Sequence, residues 1–386
     1  MKRYGGLWES LVSWENLLLA ARKARRGKRD RPCVLRFNFG QEAELLRLRR
    51  ELVGGTYHPG PFTTHWIARP KPRLISAAPY RDRVVHHALM NLLEPILDRQ
   101  FHPDSYACRR GKGTHAAADR LQSLLRRRRY FVQCDVRKFF PSIDHGILKA
   151  LFRRSIKDNR VLWLMDLIVD HSNPQESVLD WFAGDDLLTP LERSRGLPIG
   201  NLTSQWFSNW YLSGLDHFVT SRMGLGGYVR YCDDFILLHD DRAGLAKAVT
   251  QVREYLATLR LRLHEDTVQL RPSRVGLTFV GYRLWAGHRL VRKSNVREFR
   301  RRVRWMRRAY AAWLIGWNDI KPRLASWFGH ARQADSQRLL RRLSREWEFK
   351  KGGKVMASDR TPYCYLCGDL ADIAVSWPRL LPPSCL

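Results

Sequence analysis

No long hydrophobic run occurs in this sequence of 386 residues. The longest early apolar stretch covers residues 17–21, and a basic run that starts at Arg22 follows it. A stretch this short, with these flanks, predicts neither a signal peptide nor a membrane span. The seven cysteines are scattered and odd in number, which is typical of reduced thiols. We therefore expect a cytoplasmic chain without a membrane partner.

Acidic residues are also scarce. The chain has 37 Asp and Glu against 68 Lys and Arg, a net charge of +31. Hydrophobic residues make up 44% and aromatic residues 11%, which is enough to build a core and excludes a disordered basic tail. A surplus of this size on a foldable chain indicates a nucleic-acid partner and argues against a small-metabolite enzyme.

Repeats and low-complexity tracts are absent as well, so the order of elements has to be derived from the spacing of apolar residues. That spacing predicts a single helix over 7–21, two short strands around a basic turn within 66–75, and a buried strand at 130–136. A second strand, a tight turn and a third strand follow at 226–239. Further helices are expected at 41–53, 83–97, 114–125, 147–155, 161–171, 204–218, 244–259 and through 296–349.

Three aspartates stand at the ends of predicted strands. Asp135 closes the first of them, and Asp233 and Asp234 occupy the turn of the hairpin. If one sheet brings these carboxylates together, divalent cations would relieve their repulsion, and Mg²⁺ takes such ligands together with phosphate oxygens. The alternative is that the Asp-Asp pair is a turn or cap element. We favour that simpler role for Asp144, as a helix N-cap.

Four ordered motifs resemble those of reverse transcriptases. Residues 131–145 contain Asp135 and resemble the first palm motif, and Tyr-Cys-Asp-Asp at 231–234 resembles the Tyr-x-Asp-Asp box. Residues 196–205 lie between them and resemble the third palm motif, while 279–282 resemble the primer-grip hairpin. The blocks at 20–29, 73–89 and 104–115, with Ile-Gly-x-x-x-Ser-Gln at 199–205, most resemble the reverse transcriptases of diversity-generating retroelements.

The resemblance implies a role for each matching residue. Asp135, Asp233 and Asp234, with the carbonyl of Val136, would hold two Mg²⁺ ions. Phe140 would be the gate against a ribose 2′-hydroxyl. The remaining roles are dNTP binding by Lys71, Arg73, Arg81, Ile199 and Gly200, and template or primer binding by Ser204, Gln205, Gly281 and Tyr282. Most reverse transcriptases have Gln where this chain has Ile199, which implies errors concentrated at template adenines.

The expected fold is α+β, a right-hand polymerase with fingers, a mixed-sheet palm and a helical thumb. The N-terminal helix and fingers would cover 1–130, the palm 131–284 with an insertion at about 150–195, the thumb 285–349 and an unassigned tail 350–386. Residues 289–349 carry 17 basic and 5 acidic residues, net +12, which suits a duplex groove. The implied partners are a template RNA, a cDNA primer, dNTPs, a structured cognate RNA and a small basic ring-forming accessory protein.

Other interpretations stay open at this point. The same palm would serve another bacterial reverse transcriptase, for instance one in phage defence, and a non-catalytic RNA-binding relative is a third class. A self-splicing-intron maturase is disfavoured because little chain follows the thumb. The Lys expected after the catalytic hairpin is replaced by His264-Glu265-Asp266-Thr267. In the tail, Cys364 and Cys367 form a Cys-x-x-Cys pair that, with Cys385, would supply an incomplete zinc set, which we do not favour.

Overall fold

The computed structural model of the chain describes residues 3–68, 72–173, 176–345 and 349–350. The helices are α1 (Trp8–Leu11), α2 (Trp14–Ala24), α3 (Pro32–Phe39), α4 (Gln41–Val53), α5 (Tyr80–Gln100), α6 (Thr114–Leu125), α7 (Phe139–Ser142), α8 (His145–Ser155), α9 (Asn159–Asp170), α10 (Thr189–Glu192), α11 (Leu202–His217), α12 (Arg242–Thr258), α13 (Lys293–Ala311), α14 (Trp317–Arg332) and α15 (Gln337–Arg345). The strands are β1 (Thr63–Ile67), β2 (Arg73–Ala77), β3 (Tyr130–Asp135), β4 (Gly227–Tyr231), β5 (Asp234–His239), β6 (Gln269–Pro272), β7 (Leu277–Phe279), β8 (Tyr282–Leu284) and β9 (Arg289–Val291). This mixture of helices and separate sheets confirms the α+β class.

The central sheet has four strands in the order β4-β5-β3-β6. Its neighbouring strands are all antiparallel, so the expectation of a mixed sheet was wrong. A two-residue turn joins β4 to β5 and forces this pair to run in opposite directions, while the directions of β3 and β6 are set by pairing between distant segments. A one-residue parallel bridge joins Ser105 to Arg230 at the outer edge of β4.

Both faces of the central sheet are covered. In β5, Phe235 and Leu237 belong to one core, with residues of α11 and α12. The alternate residues Ile236 and Leu238 belong to a second core, with α6 and the small antiparallel sheet β7-β8-β9. Successive side chains of a strand point to opposite faces. A strand that is buried on both faces therefore needs apolar residues at every position instead of an alternation of apolar and polar residues. The sheet edge that carries Asp135 is therefore held from both sides.

The amino-terminal helix expected over 7–21 is divided into α1 and α2. The break lies at Val12 and Ser13, and Ser13 caps α2 by accepting a hydrogen bond from the amide of Asn16 at 3.2 Å. A serine that caps a new helix competes with continuation of the old one, which periodicity alone does not detect. Helix α2 then packs along α5, and the Asn16 side chain donates to the carbonyl of Ala88 at 3.1 Å.

The carboxyl-terminal helices form a third core of their own. Phe299 of α13 stacks on Trp327 of α14, with ring centroids 3.8 Å apart, and Met306 and Ile320 are buried beside them. The opposite face of α13 exposes a row of arginines that includes Arg297, Arg304, Arg307 and Arg308. In the described part of the chain, no helix is both long and apolar enough to cross a bilayer.

Candidate active site

The three aspartates singled out from the sequence meet at one end of the central sheet. Asp135, the last residue of β3, stands directly opposite Asp234, the first residue of β5. Cys232 and Asp233 form the turn between β4 and β5, and the amide of Val136 donates to the carbonyl of Asp233 at 3.3 Å. Directly opposed residues of an antiparallel pair project from the same face. The carboxylates of Asp135 and Asp234 are therefore neighbours, although Asp234 begins a strand instead of lying in the turn.

Electrostatics at this point disfavour the ionised form of Asp234. Burial and, to a smaller extent, the charges of Asp135 and Asp233 together raise the pKa of its carboxyl to about 7. The side-chain amide of Gln133 opposes this by donating to both carboxylate oxygens, at 3.1 and 3.3 Å. A carboxyl that shares its surroundings with two others is stabilised as an anion by a nearby cation.

The donor set fits Mg²⁺ in its usual protein environment. Within the described ranges, no three His, Cys, Asp or Glu side chains gather closely enough to enclose an ion by themselves. Mg²⁺ does not need such a cage, since one or two carboxylates suffice when substrate phosphates and water complete its shell. Asp135 and Asp233, assisted by Asp234 and the Val136 carbonyl, are the oxygen donors available here. The pairing of Asp135 directly opposite Asp234, beside the turn that carries Asp233, is the observation that favours a cation at this position.

A buried ion pair lies next to the turn formed by Cys232 and Asp233. Arg230 of β4 and Asp216 of α11 both have no solvent exposure. Two nitrogens of the guanidinium donate to the two carboxylate oxygens at 2.6 Å each. Burial lowers the pKa of Arg230, but the charge and hydrogen bonds of Asp216 raise it more, so the guanidinium stays protonated. The sequence analysis did not single out Arg230; its signal was a lone charged residue in an otherwise apolar strand.

Phe140 lies in the short helix α7, five residues after Asp135. Its neighbour Phe139 is buried, while Phe140 is partly exposed, and the two ring centroids are 5.6 Å apart. The carbonyl of Phe140 accepts from the amide of Leu197 at 2.9 Å. This bond joins the helix that follows Asp135 to the loop that leads to Ile199.

Ile199 lies in a loop that is bonded to the β1–β2 hairpin. The amide of Ser76 donates to the Ile199 carbonyl at 2.9 Å. The side chain of Asn201 accepts from the amide of Ala78 and donates to the carbonyl of Ser76, each at 3.1 Å. Gly200 has a φ of +119°, and a Cβ there would lie 3.0 Å from a methyl carbon of Ile75. Ile199 is partly exposed and Gly200 exposed, so the loop presents both residues at the surface. Asn201, which holds the loop to the hairpin through its two hydrogen bonds, was not singled out from the sequence.

The two residues expected to contact template or primer on α11 differ in exposure. Ser204 is buried at 3% exposure. The Gln205 side chain is partly exposed, and its carbonyl oxygen is buried without a hydrogen-bond partner among the described residues. A buried acceptor without a partner is costly, which marks Gln205 as the better candidate of the two.

The basic residues expected to bind dNTP are not equivalent. Lys71 lies outside the described residues. Arg73 is exposed at the start of β2. Arg81 of α5 forms an ion pair with Glu51 and lies over the ring of Tyr57, 5.4 Å from its centroid. The structure therefore commits Arg81 to contacts within the protein.

Tyr282, for which the resemblance implies a contact with template or primer, is fully buried. It lies after the turn formed by Val280 and Gly281, which both have positive φ. The Tyr282 hydroxyl lies 3.0 Å from Nδ1 of His115 and 2.9 Å from Nδ1 of His330. It ties the hairpin to α6 and α14, and Gly281, which is partly exposed, is left as the residue of this pair that a nucleic acid can approach.

The remaining expectations concern Asp144, the segment that follows the β4–β5 hairpin, and the cysteines of the tail. Asp144 caps α8 by accepting from the amide of Ile147 at 2.9 Å, which confirms its assignment as an N-cap. The segment after the hairpin lies beside the aspartates, since the amide of His264 donates to the Asp135 carbonyl at 2.8 Å. The cysteines considered for zinc, Cys364, Cys367 and Cys385, lie outside the described residues.

Comparison with known proteins matches the part of the chain that contains Asp135, Asp233 and Asp234. The family described as reverse transcriptase (RNA-dependent DNA polymerase) matches residues 67–284, more than half of the chain. Protein YkfC of Escherichia coli K12 is 26% identical over 292 residues, which cover 65% of this chain and 72% of that protein. Group II intron-encoded protein LtrA of Lactococcus lactis is 26% identical over 181 residues, 46% of this chain and 28% of that protein. Nuclear intron maturase 1 of Arabidopsis thaliana is 28% identical over 87 residues, 22% of this chain and 12% of that protein.

Proposed function

The chain belongs to the reverse transcriptase family, and from that premise we propose that it makes DNA on an RNA template at the edge of the sheet that carries Asp135, Asp233 and Asp234. The observation that supports this most is the pairing of Asp135 with Asp234 beside a turn that presents Asp233. A basic chain of net charge +31 that gathers carboxylates in this way has the components needed for phosphoryl transfer to a nucleic-acid end.

Each carboxylate has a distinct part in the proposal. Asp135 and Asp233 hold the metal, with the carbonyl of Val136, and Asp234 adds negative charge beside them. Two Mg²⁺ ions, when bound, supply the positive charge that favours attack by a primer 3′-hydroxyl and departure of pyrophosphate. Gln133 keeps the Asp234 carboxylate oriented through its two hydrogen bonds.

Nucleotide selection is assigned to the surface between α7 and the 196–200 loop. The ring of Phe140 excludes a ribose 2′-hydroxyl by collision, and Ile199 and Gly200 contact the nascent base pair. Arg73, which is exposed, is a better candidate than Arg81 for the triphosphate, because Arg81 is paired with Glu51. Lys71 remains a candidate from the resemblance.

Template and primer are assigned to two surfaces. Gln205 and Gly281 lie on elements that pack against the central sheet, with Ser204 buried behind Gln205. The exposed arginines of α13 provide a positively charged face of the kind that holds phosphate backbones. In this proposal residues 1–130 form the N-terminal helix and fingers, 131–284 the palm with a fingers insertion at about 150–195, and 285–349 the thumb.

We assign the chain to a diversity-generating retroelement on the strength of Ile199-Gly200-x-x-x-Ser204-Gln205. Ile cannot make the hydrogen bonds that Gln makes at this position, so a correct base pair loses part of its advantage over a mismatch. The resemblance implies that the resulting errors fall mainly opposite template adenine. A structured cognate RNA and a small basic ring-forming protein are the partners that this assignment implies. A second candidate is an intron-type reverse transcriptase, which the likeness to the group II intron-encoded protein favours.

Replacing Asp233 with asparagine tests the proposed activity. The substitution keeps the shape of the side chain and removes a ligand charge, so we expect primer extension on RNA with dNTPs to fall at least about a thousandfold. RNA affinity should stay within about threefold, because the basic surfaces are untouched. Asp30→Asn, at an exposed position, is the matched control and should keep full activity. If Asp233→Asn lost folding and RNA binding together with activity, the carboxylate would be structural.

A further inference from the structure

We propose that Arg230 is a positioning residue that fixes the conformation of the catalytic turn from inside the protein. This inference rests on the proposed function, since it concerns how Asp233 is held for the same reaction. Arg230 lies in β4, three residues before Asp233, and its side chain has no solvent exposure. It therefore cannot touch a nucleotide and acts only through the residues that it contacts.

The contact that matters joins the Arg230 guanidinium to the turn. One of its terminal nitrogens donates to the carbonyl of Cys232 at 3.0 Å. Cys232 has a φ of +60°, a left-handed conformation that costs energy for a residue with a side chain. The Cys232 carbonyl belongs to the peptide that enters Asp233, so a donor on it compensates for the strain and fixes the plane of that peptide.

The peptide that leaves Asp233 is held as well. Its carbonyl accepts from the amide of Val136 at 3.3 Å, which binds the turn to the strand end that carries Asp135. The two peptides that flank Asp233 are therefore both held, the first by the side chain of Arg230 and the second by the main-chain amide of Val136. Of these two bonds, the one from Arg230 can be removed by substitution without changing the backbone chemistry.

The remaining donors of Arg230 hold its own orientation. Two bond to Asp216 at 2.6 Å each, and the nitrogen that reaches Cys232 also donates to the side-chain oxygen of Asn209 at 3.0 Å. Asn209 and Asp216 are two turns apart on α11 and so share one face of the helix. The planar guanidinium has five donors in a fixed fork, which a lysine ammonium cannot reproduce.

Stability alone does not require this ion pair. Replacing a buried pair by apolar residues of similar volume is often neutral or favourable, while removing one partner is costly. The buried pair gives the turn something that apolar packing cannot, a donor aimed at the Cys232 carbonyl. That difference makes a positioning role separable from a structural role by experiment.

The first test compares Arg230→Lys with Tyr228→Phe. Tyr228 donates its hydroxyl to the same carboxylate of Asp216 at 2.6 Å but belongs to no bond with the turn, so it is the matched control. We expect Arg230→Lys to lower kcat at least about tenfold while KM for dNTP stays within about threefold. Tyr228→Phe should keep kcat within about threefold, even if it lowers the melting temperature equally.

The second test removes the buried charges together. The triple variant Arg230→Met, Asp216→Leu, Tyr228→Phe removes both buried charges together, so it avoids the cost of a lone buried charge. It leaves the Cys232 carbonyl and the Asn209 side-chain oxygen without their donor from Arg230. We expect it to fold and bind RNA, yet to lose kcat as Arg230→Lys does. A folded triple variant with kcat near that of the wild type would overturn the proposal. Failure of both Arg230 variants to fold would assign the network to stability and overturn it as well.

A readout without catalysis separates this inference from the proposed function. In the metal-free protein, amide hydrogen exchange of a peptide that spans residues 228–236 should quicken at least about tenfold in the Arg230 variants and not in Tyr228→Phe. If the wild-type chain makes no DNA, the proposed function fails while this measurement still decides whether Arg230 holds the turn. Unchanged exchange in all variants would reject the positioning role even in an active enzyme.

Discussion

Replacing Asp234 with asparagine should stabilise the metal-free protein, and increasingly so as the pH rises. The carboxyl has a pKa of about 7 in the folded protein, against an ordinary value of 3.8. Between these two values the folded state keeps a proton that the unfolded chain has released. The free energy of unfolding therefore falls by about 1.4 kcal/mol for each pH unit in that window.

The magnitude follows from the width of the window. The loss begins above pH 3.8 and is complete above a pH of about 7, where it reaches about 4 kcal/mol. Asparagine does not ionise and still offers one oxygen to the Gln133 amide. We expect the variant to exceed the wild type by about 2 kcal/mol near pH 5.5 and about 4 kcal/mol near pH 8.

Thermal and urea melts in EDTA at several pH values would measure this difference. Asp30→Asn, the same chemical change at an exposed site, is the control and should show no such trend. Added Mg²⁺ should narrow the gap, because a cation favours the wild-type carboxylate. An advantage that is absent near pH 8, or that does not grow with pH, would refute the view that burial and the two neighbouring carboxylates disfavour the ionised form of Asp234 in the metal-free state.

Two further predictions concern nucleotide selection. Phe140→Ala should admit rNTPs and raise their use relative to dNTPs at least about tenfold, because it removes the ring that we propose as the barrier to the 2′-hydroxyl. Competition assays on a primed RNA measure the ratio, and an unchanged ratio would remove Phe140 as the gate. Ile199→Gln should reduce misincorporation opposite template adenine by up to about tenfold, since a free-energy difference of about 1.4 kcal/mol between correct and mismatched pairs suffices. The control Ile199→Val should not reduce it. Sequencing of cDNA from a defined template measures the errors, and a uniform wild-type error spectrum would contradict the mutagenic assignment.

Much of the fold followed from the sequence because strong periodicity and local stop signals coincide. The strand that ends at Asp135 and the hairpin that carries Asp233 and Asp234 lie where apolar runs and a tight turn placed them. The division of the first helix escaped prediction because the Ser13 cap interrupts a pattern that is otherwise continuous. The direction of strands in the central sheet depends on pairing between distant segments, which periodicity does not encode.

The carboxylates of the candidate site could be predicted from the sequence, whereas most of the residues that hydrogen-bond to their surroundings could not. Gln133 stands two residues before Asp135 and so shares its face of β3, a signal that was available but unused. The ion pair of Arg230 with Asp216 joins a strand to a helix fourteen residues away, and Asn201 reaches β2 across more than a hundred residues. Such partners are set by tertiary packing. The burial of Tyr282 was not foreseen for the same reason, since it depends on contacts with α6 and α14.

The hydrogen bonds between β2 and the 199–201 loop have a mechanical consequence. Ser76 and Asn201 are buried, so their hydrogen bonds couple the position of the loop to that of the β1–β2 hairpin. If position 199 governs which base pairs are accepted, copying accuracy becomes a property of two joined segments and not of one side chain. Substitutions at hairpin positions that do not contact a nucleotide can then adjust the error rate, and natural selection has a way to tune it that leaves Asp135, Asp233 and Asp234 unchanged.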